Sequence, residues 1–222
     1  MAEEQAHGDS LTDRKRRRAK EAIRQAALEL FSERGFDAVS VTDIAERAEV
    51  GRTTFFRYFG DKQEVLFSDP AELAAEVEPR TPAAVPIGSS MAAALAAARQ
   101  LVVGYIAAMT ADPEAYEQHQ KLVSSHPELY ARSLVKERRY ADELTGRLQK
   151  WGATPAIARQ AAEMGLACYY AGQATAEDNP RILARHVERA FDRTSAGAAG
   201  AGASDSGRSD SGRSDSGRSS AR

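Results

Sequence analysis

Between Ser40 and Phe59 the chain holds two short segments of helical apolar period, broken by the three-residue turn Glu49-Val50-Gly51. Neither segment is long enough to persist as an isolated helix, so both must be packed against a third. The partner lies just upstream. Ile23, Ala26, Ala27, Leu30 and Phe31 recur at i, i+3, i+4, i+7 and i+8, one apolar stripe on a helix that begins at Asp13. Gly35 ends it as a C′ residue. Ser40-Val41-Thr42-Asp43 reads as a capping box opening the second helix, with Ile44, Ala45 and Ala48 as its buried face. Arg52 to Phe59 forms the third helix, closed by Gly60. Asp61 then caps a fourth, with Glu64 as reciprocal partner, running to about Glu78.

Pro79, Pro82 and Pro86 mark a linker. Five more helices are expected beyond it: about Ser90 to Thr110, a short one after Pro113, a long one from Pro127 to near Lys150, one after Thr154-Pro155, and one from Pro180 to near Thr194. No segment sustains period-2 alternation, so no sheet is expected and the fold class is all-α. The chain divides into an arm (1–12), a helix-turn-helix domain (13–67), a ligand-binding and dimerisation domain (68–194) and a low-complexity tail (195–222). That tail repeats Ser-Asp-Ser-Gly-Arg three times from Ser204. It carries no large apolar residue and reads as a disordered polyampholyte.

Charge is uneven. The 222 residues sum to a net −2, which taken alone argues against a nucleic-acid partner, yet residues 14–24 carry seven bases and one acid. Arg14, Lys15, Arg16, Arg17, Arg18 and Lys20 form an electrostatic footprint suited to phosphate. Screening acts over about 8–10 Å at ordinary salt, so local charge decides. The longest apolar stretch, Leu101 to Met109, is too short to span a bilayer, and no membrane helix is expected. The acidic start is no secretory signal. Cys168 is the sole cysteine, which fits a reducing, cytoplasmic location.

A helix, tight turn and helix at 42–59 is the pattern that lays its second helix in the major groove of duplex DNA. Ile44, Ala45, Ala48, Val50, Phe55 and Phe59 have the spacing to form a small core with the first helix. Arg52, Thr53, Phe56 and Arg57 are left facing outward, with Tyr58 at the edge. Arg can fork to guanine, and Thr can bond a base edge or touch a thymine methyl. Phe56 and Tyr58 offer flat surfaces and a hydroxyl to the sugar-phosphate backbone, or else simply pack. Lys62 and Thr42, each at a helix start, would face phosphate. With Arg16, Arg17 and Arg18, these are the expected DNA-binding residues.

The stretch from Ala22 to Phe67 resembles the N-terminal DNA-binding domain of TetR-family transcriptional regulators. The likeness rests on the apolar helix ending in Phe-x-x-x-Gly-Phe, the Val-x-x-Ile-Ala core and the Thr-Phe-Phe-x-Tyr-Phe-x-x-Lys segment. The resemblance implies an all-α homodimer with a small-molecule-binding C-terminal domain, dimerised through its last two long helices, and repression relieved by ligand. Glu49 departs from it, standing where the family usually has Gly. The Arg52–Lys62 run and the turn at 122–129 also resemble regulators of the mycofactocin type, which implies an acyl-coenzyme A effector.

Leu101, Tyr105, Met109, Tyr116, Leu122, Tyr130 and Tyr169 are candidate pocket residues, although helical apolar spacing is equally the mark of plain core. Lys136, Arg138 and Arg139 could receive a coenzyme phosphate or form a solvated face. Leu166 and Tyr170, with Leu183, Val187 and Phe191, give two stripes suited to a four-helix bundle across a two-fold axis, or to an internal core. His119 and His126 lack companions at metal-ligand spacing, so no metal and no cofactor is expected. The expected function is a ligand-responsive repressor bound to a pseudo-palindromic double-stranded operator. The alternatives are a small all-α enzyme, for which no phosphate loop, metal motif or nucleophile elbow is found, and a sequence-indifferent DNA-binding protein.

Overall fold

A computed structural model describes residues 11–67, 86–177 and 179–204, with side chains for all but Asp13 and 197–204. Its helices are α1 (Leu11–Arg34), α2 (Val41–Arg47), α3 (Arg52–Tyr58), α4 (Met91–Met109), α5 (Pro113–Ser125), α6 (Pro127–Lys150), α7 (Pro155–Ala176) and α8 (Pro180–Ser204), with a 3-10 turn at Glu64–Leu66. There is no strand among the described residues, and the all-α expectation holds. The fourth helix expected from Asp61 begins as that 3-10 turn, after which Phe67 is extended; its continuation to Glu78, the arm at 1–10 and the repeats beyond Ser204 lie outside the described residues. The last helix runs ten residues past Thr194, because the Ala-rich run has the helix propensity to extend it despite its glycines.

The described residues form two compact units, 11–67 with 107–143 and 86–106 with 144–204. In the first, the core joins Ile23, Ala27, Leu30 and Phe31 of α1 to Ile44 and Ala45 of α2, Phe55 of α3, Phe59, and Val65 of the 3-10 turn. Val123 of α5 and Leu129 of α6 complete it, so the small helix-turn-helix core is enlarged by segments distant in sequence.

In the second unit α7 and α8 pair closely. The α7 face is made of small residues, Ala158, Ala161, Ala162, Gly165, Cys168, Gly172 and Ala176, and α8 answers with Leu183, Val187 and Phe191, all essentially fully buried. At Gly172 the helices come so close that a Cβ would lie 2.7 Å from the Val187 backbone nitrogen. α4 has the length and mean hydropathy (1.5 over 18 residues) of a membrane span, a property the interrupting Arg99 and Gln100 hide in the sequence. Its Ala94, Leu95, Ala98, Leu101 and Ile106 are buried in the second unit, and Arg99 pairs with Asp192 at 2.7 Å on α8.

Candidate nucleic-acid interface

The recognition geometry starts at the caps. Ser40 accepts from the Asp43 backbone N–H at 3.2 Å and the Asp43 carboxylate accepts from the Ser40 N–H at 2.8 Å, the reciprocal box expected from sequence. The hydrogen bonds from Ser40, side chain first and then backbone, hold the Asp43 carboxyl below its ordinary range. At the other end of α2, Val50 N–H donates to Ala45 O at 2.9 Å and Glu49 N–H to Glu46 O at 3.1 Å, a Schellman closure. It requires a left-handed residue at Glu49, whose φ is 53°. The chain therefore keeps the turn usual for glycine and accepts the strain of a side chain there, about 1–2 kcal/mol.

Gly51 caps α3 without a side chain, and Thr54 and Phe55 N–H groups donate back to its carbonyl at 2.8 and 3.1 Å. Phe55 and Phe59 turn inward and are buried. That rotation fixes the opposite face: Arg52, Thr53 and Arg57 are exposed and Phe56 is 48% exposed. Leaving a phenyl ring half in water costs apolar burial. The Arg57 guanidinium sits 4.8 Å from the centroid of the Tyr58 ring and donates to its Oη at 3.1 Å, while the Tyr58 ring packs on the core. Thr42 is half-buried in the first turn of α2, and Arg16, Arg17 and Arg18 are exposed on the leading turns of α1, before the first buried residue, Ile23.

Lys62 meets the α1–α2 loop. Its Nζ donates to the carbonyls of Phe36 at 2.9 Å, Val39 at 3.0 Å and Asp37 at 3.4 Å, and lies 4.4 Å from the Phe36 ring centroid. An ammonium has three protons, and all three are directed at the α1–α2 loop. Lys62 thus fixes that loop through its three donors. The Glu64 side chain, expected to reach back to the Asp61 N–H, goes elsewhere. Asp61 accepts from the Glu64 backbone N–H at 2.8 Å, as a cap should, but Glu64 pairs with Arg132 at 3.0 Å and with Lys136 of α6. Arg132 also grips Asp61 through two bonds of 2.9 and 2.8 Å. Burial pushes the Asp61 carboxyl up, and the Glu64 N–H and the Arg132 guanidinium outweigh it and hold it below the ordinary range. Sequence reasoning missed this cluster because 71 residues separate Asp61 from Arg132; the Arg132–Lys136 spacing, two cations on one helix face, was the only trace of it.

The other candidate sets are only partly brought together. Of the pocket residues, Met109, Tyr116, Leu122 and Tyr130 belong to the first unit and Leu101, Tyr105 and Tyr169 to the second. Leu101, Tyr105 and Tyr116 are buried, but Tyr130 is 56% exposed and faces outward from α6, so it lines no interior. Of the interface residues, Leu183, Val187 and Phe191 are spent inside the α7–α8 pair; having no surface left, they have none to give a second copy. Leu166 is half-buried and Tyr170 is 38% exposed.

Residues 23–68 match the family model for bacterial regulatory proteins of the tetR family. The HTH-type transcriptional regulator TcmR of Streptomyces glaucescens is 34% identical over 152 residues, 65% of this chain and 63% of that protein. MftR of Mycobacterium tuberculosis, whose name links it to mycofactocin biosynthesis, is 39% identical over 61 residues, 28% of this chain and 31% of that protein. The HTH-type transcriptional repressor Rv3405c of the same organism is 49% identical over 45 residues, 20% of this chain and 24% of that protein. The chain thus spans less than two thirds of the length of each of these relatives. The match covers the residues that build the capping box, the Schellman turn and the exposed face of α3, and over that segment the chain is similar to the tetR family of bacterial regulatory proteins.

Proposed function

We propose that the chain is a cytoplasmic, ligand-responsive transcriptional repressor that binds a pseudo-palindromic operator as a homodimer and leaves it when a small-molecule effector binds. The observation that carries this reading is the division of α3: Phe55 and Phe59 buried, Arg52, Thr53, Phe56 and Arg57 presented to solvent on one short, well-capped helix. A helix so anchored can enter a major groove with its bases-reading side chains already positioned. Arg52 and Thr53, in its first turn, are the base readers; Arg57, braced by Tyr58, and Thr42 meet the backbone, and the exposed Arg16, Arg17 and Arg18 add a sequence-indifferent phosphate contact. For the second copy, the exposed side of Tyr170 and half-buried Leu166 remain on α7. The effector class suggested by the mycofactocin-type resemblance is a long-chain acyl-coenzyme A.

The test is selection of bound sequences from random duplex DNA, with and without a long-chain acyl-coenzyme A. A two-fold symmetric consensus whose recovery falls with effector is the expected result. Recovery of random sequence at physiological salt would overturn the operator reading, and an unchanged consensus with added acyl-coenzyme A would remove that effector alone. Replacing Arg52 or Thr53 by Ala should relax one position in each half-site, with about 1–3 kcal/mol of discrimination lost.

A further inference from the structure

We propose that a cleft on α6 binds an anionic headgroup carried on an apolar chain, and that this occupant competes with Asp61 and Glu64 for the cations that hold the recognition unit. The inference rests on the regulator reading above and supplies a site and a ligand class for it.

The cleft has a volume of about 470 Å³ and is lined by Glu64, Ala131, Arg132, Val135, Lys136 and Arg139. Ala131, Val135 and Arg139 follow each other at four-residue intervals along α6, roughly 6 Å apart at 1.5 Å per residue. They make one stripe that runs from apolar to cationic. Arg132 and Lys136 form the stripe beside it. Among the described residues, three cations therefore converge here against two carboxylates, Asp61 and Glu64, a surplus of positive charge within that set. Lys136 is only 6% exposed, and a buried ammonium requires an anionic partner. In the structure that partner is Glu64, which is shared with Arg132. Val135, in contrast, is 60% exposed, an apolar wall lying in water beside the charges. An inorganic anion would use the cations and leave Val135 wet, and a neutral chain would cover Val135 and leave the surplus charge unmet. A molecule with both parts uses both.

The cleft also reaches the DNA-binding element through bonded neighbours within one unit. Asp61 and Glu64 flank Lys62, and Lys62 holds the carbonyls of Phe36, Asp37 and Val39 between α1 and α2. An anion on Lys136 and Arg139 draws positive charge away from Glu64 and loosens the segment that positions Lys62. The ligand thus favours the state in which the loop is less firmly held, and by linkage DNA binding weakens ligand binding by the same factor.

Octyl phosphate, below its micelle concentration, is the probe, titrated by calorimetry into the full chain without DNA, with 1-octanol and inorganic phosphate as separate arms. Binding at least tenfold tighter than either control is expected. Arg139→Gln, at an exposed position and with folding checked by thermal melting, should weaken octyl phosphate at least tenfold, and Glu64→Gln, which frees the cations, should tighten it severalfold. Equal binding by the Arg139→Gln protein, octanol binding as tightly as octyl phosphate, or capture of phosphatidylglycerol vesicles without binding of free octyl phosphate would each overturn the proposal. DNA binding by the unliganded chain is measured separately; its absence would defeat the regulator reading, while its presence with no octyl phosphate binding would defeat the cleft alone.

Discussion

The recognition unit and the α7–α8 pair are both helix packings, and they are built from opposite materials. Around α1, α2 and α3 the core consists of large side chains, Phe31, Phe36, Ile44, Phe55 and Phe59, and the connecting loops are pinned by polar groups: the Ser40–Asp43 box, the Lys62 ammonium on three carbonyls, Arg132 on Asp61. In the α7–α8 pair one helix is stripped to alanine and glycine so that the other can press Leu183, Val187 and Phe191 into it. The difference teaches where each region is vulnerable. Aromatic cores with polar clamps depend on loop position and charge, whereas a small-against-large pair depends on the distance between two backbones.

Substitutions can break or sharpen that contrast. The largest effect is expected at Gly172→Ala. Its Cβ would lie 2.7 and 2.8 Å from Val187 backbone atoms, which cannot move as a flexible side chain would, so overpacking should cost about 3 kcal/mol in denaturant unfolding. Gly165→Ala on the same helix meets the side chains of Leu144 at 3.4 Å, Val102 at 3.5 Å and Ala98 at 3.7 Å, all ordinary contacts. Its gain in helix propensity should offset that crowding and leave stability within about 1 kcal/mol of the parent. Equal losses at both glycines would remove the close crossing as the explanation.

In the recognition unit, Lys62→Met should cost about 2 kcal/mol, because three carbonyls lose a charged donor and the Phe36 ring loses its cation. Operator affinity should fall with it while the dependence of affinity on salt stays unchanged. A salt slope reduced by about one would instead show that Lys62 neutralises a phosphate.

The third test uses pH. His119 packs edge-on to the Phe67 ring at 5.7 Å; burial, aided by Arg24, pushes its pKa down from 6.5 to about 4. The unfolded chain therefore binds a proton that the folded chain refuses. Stability is full above about pH 6.5, falls as pH drops toward 4, and is level below that. Between pH 7 and 5 the loss should be about 2 kcal/mol, read from chemical denaturation, and His119→Gln should flatten it. Protonation of Asp43 and Asp61, both held low, begins below this window.

Glu49→Gly gives the smallest effect. Relieving the left-handed side chain, less the entropy of a new glycine, should stabilise the protein by about 0.5–1 kcal/mol in the same unfolding assay. A loss instead would mean that the Glu49 side chain earns its place through contacts.

Much of this was legible beforehand because it is local. The capping box needs four residues, the Schellman turn six, and the burial of Phe55 and Phe59 follows from their i, i+4 spacing on one short helix. The exposed face of α3 follows from the same phase. The loop contacts of Lys62 were not legible, because its position at a helix start is visible locally, while the three carbonyls that claim its protons are 23 to 26 residues away. The exposure of Tyr130 was not legible for a related reason: an aromatic residue on a helix suggests burial, but its angular position on α6 relative to the core is set by packing.

By itself, then, the sequence determined the helical period, the caps and turns, the side of α3 that meets solvent and the family that residues 23–68 resemble, since each depends on residues within a few turns of one another. Only the tertiary structure decided which opposite charges met. It took Arg132 and Lys136 to Asp61 and Glu64, it set Lys62 on the carbonyls between α1 and α2, and it used Leu183, Val187 and Phe191 within one chain. Those outcomes depend on which helix faces come within a few ångströms of each other, and the global packing of the core fixes that distance.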